Sequence, residues 1–205
     1  KLEKHIDVNL AESFFAPNLI EAWNIYADSA EKFSAPKLEK AQDIYTNSAK
    51  EFSAPRLEKV EDIYADSAKS FSAPNLKSAW NIFADSAKSF SVPKLEKSRD
   101  IYARLTQKIS APKLKEAWNI YANSAESFSA PKLKKGSIFA YSAKTISVPK
   151  LKEGSIYAHS AKVFSAPNLK EALAICADSA ESFSAPKLET VSYEVHAYSA
   201  KTIEL

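Results

Sequence analysis

The chain of 205 residues contains one cysteine, two glycines and no methionine. A single cysteine excludes an internal disulfide framework, and with only three histidines beside it the sequence predicts no metal site and no cofactor. Two glycines exclude the glycine-rich loops that cradle phosphate groups. The absence of methionine, even at the first position, predicts that this chain is a fragment of a longer protein.

Long apolar runs and an excess of one charge are also missing. No apolar stretch approaches the ~18–20 residues that a membrane span needs, so the sequence predicts no membrane insertion. The 28 basic and 25 acidic residues leave a net charge of +3, which is too small to predict a nucleic-acid partner. With 45% hydrophobic residues the chain can bury a core, and we expect one folded domain spanning residues 1–205.

A repeat of about 19 residues runs through the whole sequence. The unit is KSFSAPNLKSAWNIFADSA at residues 69–87, and a proline marks it at positions 17, 36, 55, 74, 93, 112, 131, 149, 167 and 186. A fixed period near 20 residues is typical of solenoids, in which equivalent residues of successive coils stack into rows. The short period-2 stretches around Phe71 and Ile82 favour strands.

A helical repeat array is the alternative fold. Helix-like spacings of three and four residues connect Leu38, Ala41, Tyr45, Ser48 and Phe52. Two units, however, lose one residue before Ile138 and before Ile156, and both gain a glycine there, Gly136 and Gly154. Deleting one residue inside a helix would rotate everything beyond it by about 100°, whereas a corner between strands absorbs the deletion. The sequence therefore favours a mainly β, single-domain parallel β-solenoid of about ten 18–20-residue coils.

Within this β-solenoid the leucine, isoleucine and phenylalanine rows should form the core. The row of Ser86 is predicted to face inward as well, because Leu105 replaces serine in one coil. The same coil, Arg99–Ile109, should be locally irregular, since Arg104, Leu105 and Ile109 all depart from the repeat.

Aromatic residues form one row that should face solvent, because acidic residues flank it. It comprises Tyr26, Tyr45, Tyr64, Phe83, Tyr102, Tyr121, Phe139 and Tyr157, which we call the aromatic row. Three residues before this row stand Trp23, Trp80 and Trp118. Contiguous exposed aromatic surface usually marks an interaction site, so we expect a binding face centred on the coils from Trp23 to Tyr121. A ladder of rings that only stabilises the sheet is the alternative.

Catalytic residues are sparse. Cys176 and His196 continue the aromatic row in successive coils and should stack roughly 5 Å apart. No carboxylate that would orient such a pair is evident from the pattern, and an outer strand face offers no cleft. We therefore expect no enzyme, with a Cys/His enzyme as the least favoured alternative.

The segment Ala68-x-x-Phe71-x-Ala73-Pro74-x-Leu76-x-x-Ala79 resembles a leucine-rich repeat, in particular the treponema-type, BspA-like repeats. The unit is shorter than in that family and lacks its Ala-Phe-x-x-Cys element. The resemblance implies a non-enzymatic binding surface, often on a bacterial cell surface.

Besides the Cys/His enzyme, these observations lead to one favoured function and one alternative. The first is a binding solenoid that presents its aromatic and acidic face to a protein or glycan partner, as an adhesin or interaction scaffold at the cell surface. The other is a structural spacer. The short first coil, Lys1–Ala11, and the final strand carry no polar cap, so we also expect either missing flanking segments or end-to-end self-association.

Overall fold

A computed structural model describes residues 5–205, which consist of strands, turns and bends with no helix. The chain winds into a β-solenoid of about ten coils, and every registered strand pair is parallel. The predicted β-solenoid is confirmed, and the helical array is wrong. Because residues 1–4 lie outside the described part, the expected short first coil is not tested.

One face of the solenoid is a continuous sheet of eleven strands. Its strands are β1 (Ile6–Asp7), β3 (Asn24–Tyr26), β5 (Asp43–Tyr45), β7 (Asp62–Tyr64), β9 (Asn81–Phe83), β11 (Asp100–Tyr102), β13 (Glu116–Tyr121), β15 (Lys135–Phe139), β17 (Ile156–Tyr157), β19 (Glu171–Cys176) and β21 (Thr190–His196). Each strand pairs with the equivalent strand of the next coil, as in Ile44↔Ile63. This sheet carries the aromatic row.

The other face is divided into three sheets, of four, four and three strands. The first contains β2 (Ser13–Phe15), β4 (Lys32–Ser34), β6 (Glu51–Ser53) and β8 (Ser70–Ser72). The second contains β10 (Ser89–Ser91), β12 (Lys108–Ser110), β14 (Ser127–Ser129) and β16 (Thr145–Ser147). The third contains β18 (Val163–Ser165), β20 (Ser182–Ser184) and β22 (Thr202–Glu204).

Two hydrogen-bonded turns close each coil. The N–H of Leu38 donates to the carbonyl of Ala35 (3.2 Å) around Pro36, whose missing N–H and fixed φ suit a turn. The N–H of Ala30 donates to the carbonyl of Ala27 (3.0 Å) around Asp28 and Ser29.

The inward orientation predicted for the row of Ser86 is wrong. The row of Ser86 lies on the second turn and faces solvent rather than the core, and Leu105, in the same row, is 63% exposed. Leucine is tolerated there because nothing packs on it.

The core is a thin column between the two faces. Ile44, Leu57 and Phe52 represent the three large apolar rows, and each is at most 1% exposed. Alanines fill the remaining inward positions, so opposite strands approach closely. The coil Arg99–Ile109 keeps this regular packing, because Ile109 pairs in register with Phe90 and Phe128. The irregularity expected there is wrong.

The two deletions fall at equivalent corners, between the bridge position and the isoleucine that follows; β15 continues through the corner at Gly136, where its register with β13 shifts, and Gly154 lies just before β17. Gly136 and Gly154 have φ values of +150° and +139°, which other residues rarely adopt. A β-carbon on Gly136 would lie 2.5 Å from the carbonyl oxygen of Ala117, and one on Gly154 would collide with the backbone of Gly136. The glycines therefore allow each shortened corner to sit directly on the coil before it.

Candidate functional site

The aromatic row forms a continuous stack of eight rings. Neighbouring centroids are 4.5–5.0 Å apart, and neighbouring planes differ by at most 13°. Parallel in-register pairing produces this spacing, because it places equivalent side chains of successive coils directly above one another. Each ring face is covered by the next ring, so the row presents ring edges and hydroxyl groups to solvent.

Polar side chains two residues earlier on the same strands contact those hydroxyl groups. The Tyr64 hydroxyl donates to Asp62 Oδ2 (3.1 Å), and the Asn24 amide donates to the Tyr26 hydroxyl oxygen (2.9 Å). Burial, together with the adjacent Asp62 carboxylate, raises the pKa of Tyr64 to about 12. Burial and the Asp62 carboxylate also raise the pKa of Asp43.

A hydrogen-bonded ladder runs beside the rings. The Asn81 amide donates to Asp62 Oδ1 (2.8 Å), and the Asn119 amide donates to Asp100 Oδ1 (2.9 Å). Between them, Arg99 Nε donates to Asn81 Oδ1 (3.2 Å) and to Asp100 Oδ2 (3.3 Å). From Asp62 to Asn119 acids and amides thus alternate and satisfy one another, whereas Asp43 and Asp62 are adjacent carboxylates.

The tryptophans lie at the edge of this face and are the exposed aromatic groups of the region. Trp80 and Trp118 are 55% and 70% exposed, and Arg99 occupies the coil between them. These three side chains line one surface depression. Trp23 is 44% exposed and lies away from the other two, with its ring edge-on to His5 at 5.8 Å.

A groove runs along the solenoid axis beside Trp80 and Trp118. Its volume is about 560 Å³. The floor and walls are formed by Lys40, Ala41, Lys59, Val60, Glu61, Ser78, Ala79, Trp80, Lys97, Ser98, Glu116 and Trp118, and we call this the tryptophan groove. Small residues such as Ala79 form the floor, while charged side chains and the two indoles rise on either side. The groove exists because the chain bends sharply between a bridge residue, such as Ser78, and the strand that follows.

Aspartates on the second turn of their coils have a structural role; they are Asp28, Asp66, Asp85 and Asp178. The N–H of Asn47 donates to Asp28 Oδ1 (3.0 Å), and the N–H of Arg104 donates to Asp85 Oδ1 (2.8 Å), so each carboxylate holds the turn of the next coil. Arg104 also forms an ion pair with Asp85. Burial and the neighbouring Asp85 raise the pKa of Asp66.

Cys176 and His196 are neighbours in register, as predicted, and a third group joins them. Glu194 Oε2 lies 3.1 Å from His196 Nε2, a carboxylate that the sequence reasoning missed. The donor atoms of Cys176, Glu194 and His196 all lie within 4.8 Å of one another. Burial, the Glu194 carboxylate and the Asp178 carboxylate raise the pKa of the Cys176 thiol.

Residues 5–205 form no helix that could span a membrane, since they contain no helix. No protein-family model, no curated protein and no solved structure matches the chain significantly.

Proposed function

We propose that this protein is a non-enzymatic binding solenoid whose contact surface is the tryptophan groove and whose partner is a protein segment. One observation carries the proposal: Trp80, Arg99 and Trp118 stand exposed on three successive coils beside a groove with a small-residue floor. Tryptophan and arginine are the residues most enriched at energetic hot spots of protein interfaces. The resemblance to BspA-like leucine-rich repeats and a cell-surface location stay predictions.

Rigidity supports this proposal. The two indoles project from the coils on either side of the Arg99 coil in a hydrogen-bonded parallel sheet, and Arg99 is fixed by hydrogen bonds to Asn81 and Asp100. Preorganised side chains lose little conformational entropy when a partner docks. Charged residues along the same groove, such as Lys59 and Glu61, supply the polar rim that surrounds a hot spot.

The stacked aromatic row favours a structural role for the tyrosines themselves. Their faces are occupied by one another, so a partner would reach only edges and hydroxyl groups. Of the residues expected to bind, Trp80 and Trp118 thus belong to the contact surface. The stacked residues of the aromatic row, and Trp23, do not line the groove; those expected to bind were Tyr26, Tyr45, Tyr64, Phe83, Tyr102 and Tyr121.

The chemistry of Cys176 argues against the Cys/His enzyme. A nucleophilic cysteine is activated by a lowered pKa, whereas burial and two carboxylates raise the pKa of this thiol. The side chain is also only 4% exposed.

The test is a selection with a matched control. Peptides from a phage-displayed random library are selected on the immobilised chain, and their affinities are measured for the parent, for Trp80→Ser/Trp118→Ser and for Trp23→Ser. We expect the double variant to bind at least about thirtyfold more weakly, the size of a hot-spot loss, and Trp23→Ser to bind like the parent.

A parallel screen on a glycan array identifies the class of partner. Glycan binding that the double variant loses would keep the groove and replace the protein partner with a glycan. Peptides that bind all three proteins equally, with no glycan bound, would contradict the proposal and favour the structural spacer.

A further inference from the structure

The aromatic row ends in a group of side chains that the proposed binding function does not use. After Tyr157 the next two coils carry Cys176 and His196 in place of rings. β19 and β21 pair in parallel, and Cys176 lies directly opposite His196. A thiol and an imidazole therefore share the outward row of two adjacent strands.

An irregular register brings a carboxylate to the same place. The segment from Leu188 to Val195 has one residue more than the equivalent segment from Leu169 to Ile175. The register between β19 and β21 shifts accordingly, and Glu194 lies opposite Ala174. Glu194 precedes His196 by two residues, so both side chains project from the same face of the strand.

Because Ala174 is small, the carboxylate of Glu194 has room to approach the thiol of Cys176. The equivalent position holds aspartate or asparagine in most earlier coils, as in Asp100 and Asn119. With alanine there, the oxygen of Glu194, the nitrogen of His196 and the sulfur of Cys176 all lie within 4.8 Å of one another.

We propose that Cys176, Glu194 and His196 bind a zinc ion through Sγ, a carboxylate oxygen and an imidazole nitrogen. Zinc accepts this mixture of sulfur, nitrogen and oxygen ligands, whereas magnesium and calcium require oxygen ligands. Bond lengths of about 2.0–2.3 Å place the ligand atoms of a tetrahedral zinc ion roughly 3.5 Å apart. Side-chain rotations of Glu194 and His196, which are both partly exposed, close the remaining distance.

Three protein ligands leave a fourth position for water. Zinc binds the thiolate, so the thiol proton of Cys176 passes to solvent when the ion enters. The imidazole must bind in its neutral form, and its contact with Glu194 is exchanged for a contact through the ion. The site lies on the last two strands of the eleven-stranded sheet, β19 and the edge strand β21, and is separate from the tryptophan groove.

The third histidine of the chain provides a matched control. His159 lies on the second turn of its coil, and its Nδ1 is within hydrogen-bonding distance of Asp178 Oδ2. It is close in sequence and environment to the proposed site but is not one of the three grouped donors.

The experiment is a titration of the full chain with zinc chloride and with cobalt chloride as a spectroscopic substitute. We expect one ion per chain, and a thiolate-to-cobalt charge-transfer band in the near ultraviolet. Cys176→Ser should abolish that band, and Cys176→Ser, His196→Asn and Glu194→Gln should each weaken zinc binding by at least about tenfold. His159→Asn should bind both metals like the parent.

Folding is monitored by far-ultraviolet circular dichroism. Cys176→Tyr, which introduces the residue that six other coils carry in this row, replaces Cys176→Ser if the serine variant unfolds. A parent chain that binds zinc no more tightly than Cys176→Ser or Cys176→Tyr overturns the proposal. So does a cobalt complex that forms without the thiolate band.

Discussion

The rings of Phe71 and Phe90 lie 5.4 Å apart at an angle of 34°, whereas those of Phe33 and Phe52 lie 5.0 Å apart at 6°. The tilt marks the gap between β8 and β10, where the second face of the solenoid divides. Val92 follows this gap in a row that otherwise contains alanine, except for the terminal Leu205 and for Val148, which borders the gap between β16 and β18. We attribute both gaps to the extra methyl groups, which displace the coil away from one of its two neighbours.

A valine added elsewhere in the alanine row of Val92 and Val148 should therefore open a new gap between strands of the second face. Ala54 is fully buried, and its N–H donates to the carbonyl of Ser72 (3.0 Å). Ala54→Val should lower the free energy of unfolding by about 1–3 kcal/mol through overpacking, measured by urea denaturation. Hydrogen exchange should show reduced protection of the Ala35 or the Ala54 amide.

The control is Ser53→Val, on the outer side of β6, which should change the free energy of unfolding by less than about 0.5 kcal/mol. Equal effects of both variants would refute the crowding explanation.

Gly154 should tolerate no side chain. Its φ of +139° is strained for other residues, and a β-carbon there would meet the backbone of Gly136. We expect Gly154→Ala to cost more than about 2 kcal/mol in thermal or urea unfolding. Lys152→Ala, an exposed change in the same coil, should cost less than about 0.5 kcal/mol. A Gly154→Ala variant as stable as Lys152→Ala would show that the corner is built differently.

Replacing Asp66 by asparagine should stabilise the protein. The Oδ1 atoms of Asp66 and of Asn47, one coil earlier, are both buried without a hydrogen-bond partner. In the pair before them, the Asn47 amide donates to Asp28 Oδ1 (3.2 Å), so the amide of Asp66→Asn can donate in the same way to Asn47 Oδ1. The added hydrogen bond predicts a gain of about 1 kcal/mol at pH 7.

The pH dependence of the stability gained by Asp66→Asn separates the effect of the Asp66 charge from that of the added hydrogen bond. Because the pKa of Asp66 is raised in the folded state, its ionisation destabilises the fold at neutral pH. This cost disappears as the pH falls through the folded pKa to below the ordinary value of 3.8. The advantage of Asp66→Asn, measured by urea unfolding, should accordingly shrink over that range, whereas an advantage that grows on acidification would contradict the assignment.

Tyr64 should control part of the alkaline stability. Its pKa is about 12 in the folded state against an ordinary value of 10.0, so the unfolded chain loses this proton first. The stabilisation is complete below pH 10.0 and is lost as the pH rises through about 12. Tyr64→Phe, which copies Phe83, should lose less stability than the parent over this interval. The difference between their near-ultraviolet absorbance titrations should contain one group that ionises near pH 12, and a group that ionises near 10.0 would be inconsistent with the buried hydroxyl.

Much of the fold could be predicted from the spacing of residues such as Pro74 and Gly154, because a deletion absorbed at a corner distinguishes stacked strands from helices. The inward position predicted for the row of Ser86 is wrong, since Leu105 in that row is apolar yet exposed. The tryptophan groove could not be predicted, because it depends on how sharply the chain bends next to Ala79. Glu194 was missed because one extra residue shifts its register, although its spacing of two from His196 was a usable signal.

The most direct test of the account compares the aromatic row with the tryptophan groove. It measures the free energy of unfolding in urea for Tyr64→Ser/Phe83→Ser/Tyr102→Ser and for Trp80→Ser/Trp118→Ser. The first variant removes four stacked ring pairs at about 0.5–1.5 kcal/mol each, so we expect a loss of about 2–6 kcal/mol. The second removes exposed indoles and should lose no more than about 1 kcal/mol. Equal losses, or a larger loss for the tryptophan variant, would contradict the division into a structural row and a groove free to bind.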